Sequence, residues 1–76
     1  MPERIAVFLS TKPPSECARL IGDARKYITN DNLINLIQNF DVNNYKKNMK
    51  FKNQLLMFSD IPGLKEEVDE WMNSVQ

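Results

Sequence analysis

Val42-Asn43-Asn44-Tyr45-Lys46-Lys47-Asn48-Met49-Lys50-Phe51-Lys52-Asn53-Gln54-Leu55-Leu56-Met57-Phe58 is the stretch on which the fold class turns. Read at helical spacing, Val42, Tyr45, Met49, Lys52 and Leu56 share a face, with Leu55 beside them. Read as a strand, Met49, Phe51, Asn53, Leu55 and Met57 alternate with polar neighbours up to Leu56. Long side chains and few β-branched residues favour the helix over residues 45–58. A mainly α fold is therefore expected.

Upstream, Asp41-Val42-Asn43-Asn44 reads as a turn. Before it, Leu33, Ile34, Leu36, Ile37 and Phe40 form a short helix that is apolar over much of its circumference, as buried helices are. Thr29-Asn30-Asp31-Asn32 is a break and a capping cluster. Pro14-Ser15-Glu16 opens an earlier helix, with Ser15 as cap and Glu16 at the positive end of the dipole. Cys17, Leu20, Ile21, Ala24 and Ile28 fall on one face of it. Gly22 inside such a helix costs about 1 kcal/mol against Ala, and close packing of another element would explain its presence.

Residues 4–10, Arg4-Ile5-Ala6-Val7-Phe8-Leu9-Ser10, read as a short strand that ends at Thr11-Lys12-Pro13-Pro14. The rival reading is a first helix beginning at Pro2. A lone strand needs a partner, and no second strand is evident. Downstream, Ser59-Asp60 caps a last helix with Pro62 in its first turn and Glu66, Glu67, Asp69 and Glu70 after it. Ile61, Leu64, Val68, Trp71, Met72 and Val75 make its apolar face. The expected architecture is one small domain over residues 1–76, with three or four short helices and an N-terminal strand or arm.

A chain of 76 residues holds one domain with a thin core. The single Cys17 closes no internal disulfide, and without His the usual Cys/His zinc site cannot be built in one chain. Missing His also removes the commonest general base. Gly22 and Gly63 are too far apart for a dinucleotide fingerprint or a P-loop. These points argue against an enzyme, a cofactor or a metal. Cys17 itself reads as a small buried apolar residue. The run Ile5–Leu9 is too short for a signal-peptide core or a membrane span. A cytoplasmic location without membrane contact is the default expectation.

The 10 basic and 10 acidic side chains cancel in sum, yet they are segregated. Residues 42–58 hold Lys46, Lys47, Lys50 and Lys52 and no acid, whereas Asp60, Glu66, Glu67, Asp69 and Glu70 follow with one base, Lys65. Both blocks read first as solvated faces. A domain this small must also bury many large apolar residues, so some should remain as a surface patch. Phe51, Met57, Phe58, Trp71 and Met72 are the candidate protein-binding residues, since Trp anchors interfaces and Met adapts to varied surfaces. The expected function is that of a non-catalytic interaction module, such as an adaptor, inhibitor or regulatory subunit. Its partner would be another protein or a second copy of itself.

The alternative is a nucleic-acid-binding regulator. Lys46, Lys47, Lys50 and Lys52 would neutralise phosphates, while Asn43, Asn44 and Asn48 would meet base edges. Tyr45 or Phe51 would stack on bases. Helices over 30–40 and 43–57 would then loosely resemble a helix-turn-helix, although a neutral chain lacks the usual basic excess.

Overall fold

Pro2 and Glu3 suit a helix start, since Pro needs no N–H in a first turn and an acid complements the dipole. The apolar run behind them forms the first helix, α1 (Pro2–Ser10), in the computed structural model of the chain, which describes residues 2–22 and 33–74. The expected N-terminal strand is thus replaced by the rival helix. A continuous apolar run carries no period that separates a buried strand from a buried helix. Here Ile5, Ala6, Phe8 and Leu9 are all buried, because α1 is a central element that packs against three others. No strand occurs among the described residues.

The chain leaves α1 through satisfied carbonyls. The Thr11 and Lys12 amides donate to the carbonyls of Phe8 and Leu9 at 3.1 and 3.0 Å. Helix α2 (Pro14–Ile21) follows, with Pro13 rather than Ser15 in the capping position and Pro14 in the first turn. Its buried face is Cys17, Leu20 and Ile21. Gly22 does not sit inside this helix but ends it, at φ +45°, with open space where a Cβ would stand. Its role is therefore conformational, since glycine enters that region without strain, and none of the described residues packs closely against it. Ala24, Ile28 and the Thr29–Asn32 cluster lie outside the described residues.

Helix α3 (Leu33–Gln38) buries Leu33 and Ile37, with Ile34, Leu36 and Phe40 packed at the margin of the core. The expected turn at 41–44 is instead a helix start. The Asp41 carboxylate accepts the Asn43 amide at 2.9 Å and caps α4 (Val42–Lys47). Asn48 then interrupts the helix expected over 45–58. Its φ of −102° and ψ of 88° are not helical, and its side chain caps α5 (Met49–Phe58) by accepting the Phe51 amide at 3.0 Å. Both interruptions use residues whose short polar side chains compete with helical backbone bonds.

Ser59 ends α5 rather than capping the last helix, and its hydroxyl donates to the Leu56 carbonyl at 2.7 Å. Pro62 and Gly63 then make a tight turn closed by the Leu64 amide on the Ile61 carbonyl at 3.3 Å. Gly63 at φ +86° fits the third position of a type II turn, with Pro62 before it. Helix α6 (Leu64–Ser74) buries Leu64 and Val68.

The described residues thus form six helical segments, more than the three or four expected. The helix over 45–58 divides at Asn48, and α1 adds one at the N-terminus. Helix α1 packs on α3, α5 and α6, while α2 lies on α3 and α4 on α5. Phe51, Phe58, Leu9, Ile21, Ile37, Leu55 and Leu64 fill the core. Burying each such side chain contributes about 1.5–3 kcal/mol. Phe40, Tyr45 and Phe51 cluster beside it, Tyr45 meeting Phe51 edge-on at 6.2 Å.

Candidate functional site

Helix α5 has two apolar faces, and only one is covered. Phe51, Gln54, Leu55 and Phe58, at spacings of three and four, point into the core. Met49, Leu56 and Met57 project from the other side and remain 65%, 50% and 44% exposed. At about 100° per residue, Asn53 falls in the middle of that outer stripe. Lys50 and Lys52 fall on its two flanks. On α4, Val42 is exposed as well. The residues placed together on one face by sequence, Val42, Tyr45, Met49, Lys52 and Leu56, therefore part company at the break. Tyr45 alone is buried, and the core face of α5 is the Phe51–Leu55–Phe58 set.

This placement separates the candidate interaction residues. Met57 belongs to the outer stripe. Phe51 and Phe58 are core residues, 1% and 0% exposed, and present no surface for a partner. Their three- and four-residue spacing with Leu55 was the available signal, and it outranks the alternative face because it carries two aromatics. Met49 and Leu56 are exposed residues absent from the expected protein-binding set; the sequence placed them only on one face with Val42, Tyr45 and Lys52.

Trp71 and Met72 are half-buried and lie elsewhere, between α6 and α1. With Glu3, Arg4 and Val7 they line a shallow cavity of about 280 Å³. A second hollow of about 320 Å³ is lined by Trp71 together with Phe8, Lys12, Glu67, Glu70 and Ser74. The Trp71 ring packs on Phe8 at 5.7 Å, and the Lys12 ammonium stands 5.2 Å from the same Phe8 ring. Trp71 is thus part support and part surface.

Lys50 and Lys52 of the basic segment flank the outer stripe, and Lys46 and Lys47 precede it on α4. Lys46, Lys47 and Lys50 are exposed, as are Asn43 and Asn44. Lys52 is half-buried with its ammonium 5.5 Å from the Tyr45 ring. Asn48 is engaged in capping α5. Burial of Tyr45 and Phe51 removes both residues expected to stack on bases. No helix spans 43–57 without interruption, so the helix-turn-helix arrangement is not formed. Among the described residues the one ion pair is Glu16 with Arg19, next to each other on α2. The lysines of α4 and α5 and the acids of α6 do not neutralise each other, and Glu66, Glu67, Asp69 and Glu70 are exposed.

Cys17 is buried, with its thiol donating to the Leu9 carbonyl at 3.1 Å. The Gln38 amide reaches both Cys17 Sγ, at 3.3 Å, and the Lys12 carbonyl, at 2.8 Å. Burial pushes the Cys17 thiol pKa up, against the lowering effect of the Gln38 bond. That combination suits a structural tie between α1, α2 and α3. Among the described residues no group of three or more His, Cys, Asp or Glu side chains is arranged to hold a metal ion. Nor is any described helix long and apolar enough to cross a membrane. Comparison with known protein families, with curated proteins and with solved structures finds no match.

Proposed function

We propose that this chain is a small non-catalytic module that binds a protein through the outer face of α5. The observation that carries this reading is the uncovered stripe of Met49, Leu56 and Met57 opposite the core face of the same helix. Large apolar side chains grouped on one exposed face mark interaction sites more often than scattered ones do. Met is suited to such a face because its flexible thioether adapts to the surface it meets. Trp71 and Met72, beside the cavity between α1 and α6, offer a second, smaller contact area.

Nucleic-acid binding is the second reading. It is favoured by the exposed Lys46, Lys47 and Lys50 in a stretch without acids. A photocrosslinking amino acid at position 56, at position 47 or at position 66 on α6 separates the two in cell extract. Protein adducts at 56 and not at 66 support the module reading. Nucleic-acid adducts at 47 support the alternative. Equal protein adducts at 56 and 66 would sink the assignment to α5.

A further inference from the structure

We infer that the partner of the α5 outer face is an acidic amphipathic helix of another protein. The inference rests on the module reading above and adds the chemistry of the occupant. The stripe from Met49 to Met57 runs along about 12 Å of helix at 1.5 Å per residue. That length matches two to three turns of a partner helix lying along it, with its own apolar side chains at spacings of three and four. Charge sets the sign of the partner's polar residues. Lys50 and Lys52 flank the stripe, Lys46 and Lys47 precede it on α4, and residues 42–58 contain no acid. None of these lysines is paired with an acid among the described residues. A helix bearing Glu or Asp beside its apolar stripe meets both features at once, and like-charged helices are repelled.

The polar centre of the stripe argues for protein over the other anionic surfaces. Asn53 sits among Met49, Leu56 and Met57, where insertion into lipid would strand its amide without partners. A side chain or backbone on a partner helix can satisfy it. Nucleic acid would set phosphates against the lysines but leave Met49, Leu56 and Met57 without apolar contacts, and the buried Tyr45 and Phe51 offer it no stacking platform.

The test is a titration of the isotopically labelled full chain, followed by amide chemical shifts. The probes are a synthetic amphipathic peptide with Leu at helical spacing and Glu elsewhere, its counterpart with Lys for Glu, phosphatidylserine vesicles and a single-stranded oligonucleotide. The expected result is saturable binding of the acidic peptide alone, with shifts confined to residues 42–58 and affinity falling with salt. Reversing charge at one position before the stripe and one beside it, Lys46→Glu with Lys50→Glu, should weaken that peptide by about tenfold. It should leave the far-ultraviolet spectrum unchanged, because both lysines are exposed. Met49→Ser should weaken binding independently of salt.

Equal binding of both peptides, binding of neither, preferential binding of vesicles or oligonucleotide, or self-association mapped to α5 and α6 would each overturn the inference. Binding of neither peptide together with protein adducts at position 56 would refute the acidic helix while leaving the module reading intact. Oligonucleotide binding with no protein adduct would refute both.

Discussion

Phe8 of the first helix and Trp71 of the last meet ring to ring, with centroids 5.7 Å apart and planes tilted by 59°. The contact ties the two ends of the described chain together. Phe8 is buried and Trp71 is not fully so, which sets unequal consequences for their loss. Phe8→Ala should cost about 3–5 kcal/mol, as for other large core truncations. Trp71→Ala should cost about 2 kcal/mol, since part of its ring already faces water. A double-mutant cycle should return a coupling of about 0.5–1.5 kcal/mol beyond area burial. Urea titrations followed by circular dichroism measure all three. A coupling near zero would mean that the two rings are only neighbours.

Alkaline pH should weaken the fold through Cys17 and Tyr45. Burial raises the pKa of both groups, with Glu3 adding to the effect at Tyr45. Each is an acid that is neutral when protonated, so the folded state favours the protonated form. As pH rises, the unfolded chain loses its protons first and then binds fewer of them than the folded chain. Stability therefore falls with pH. The decline should begin near the ordinary thiol pKa of about 8.5, where Cys17 of the unfolded chain titrates, and steepen near the ordinary phenol pKa of about 10, where the unfolded chain's Tyr45 loses its proton before the buried one does. Melting temperatures measured across this range test the direction. Cys17→Ala should remove the earlier part of the slope. A melting temperature that climbs above pH 8.5 would contradict the assignment. Native Cys17 should also react with a thiol reagent only as fast as the chain opens, because the sulfur is buried and protonated.

The break between α4 and α5 should be sensitive to one side chain. Asn48→Ala removes the acceptor for the Phe51 amide and should cost about 1 kcal/mol, while Asn48→Asp, which keeps an acceptor, should cost less. Gly63→Ala should cost about 1 kcal/mol, because its φ of +86° strains any residue with a Cβ even though space is open. Gly22→Ala, at φ +45°, should behave alike. Had Gly22 been a packing glycine inside a helix, alanine there would clash rather than strain. A neutral or stabilising result at Gly63 would mean that the turn relaxes.

The helical class was legible because long unbranched side chains dominate residues 45–58 and because the α6 pattern has one period. Helix α1 was not, since Ile5 to Leu9 is apolar at every position and its true surroundings are tertiary. The capping roles of Asp41 and Asn48 were hidden for another reason. The same residue types mark turns and helix starts, and only backbone angles tell them apart. The candidate surface was legible in part. Met57 is among the expected interaction residues, whereas Met49 and Leu56 are read only as sharing a face with Val42, Tyr45 and Lys52. Helix α5 carries two apolar sets at helical spacing, and what separates them in the sequence is the pair of aromatics, Phe51 and Phe58, in the set that α1 covers. The aromatic set has the larger area to bury, and it wins.

That same buried face holds one polar residue, Gln54, which is 8% exposed and whose Oε1 has no hydrogen-bond partner among the described residues. A buried acceptor left unpaired costs about 1–3 kcal/mol. Methionine has nearly the same length, no strong polar atom and the flexibility to follow the existing space. Gln54→Met should therefore stabilise the fold by about 1 kcal/mol, in contrast to most core substitutions. Gln54→Ala should destabilise it, because the cavity outweighs the relief of the amide. Denaturant midpoints for the two variants decide the matter, provided that the slope of unfolding is unchanged. A loss of about 1 kcal/mol or more in Gln54→Met would show that the amide is satisfied in solution. Gln54 would then be a stabilising polar contact of α5 rather than a flaw in its core face.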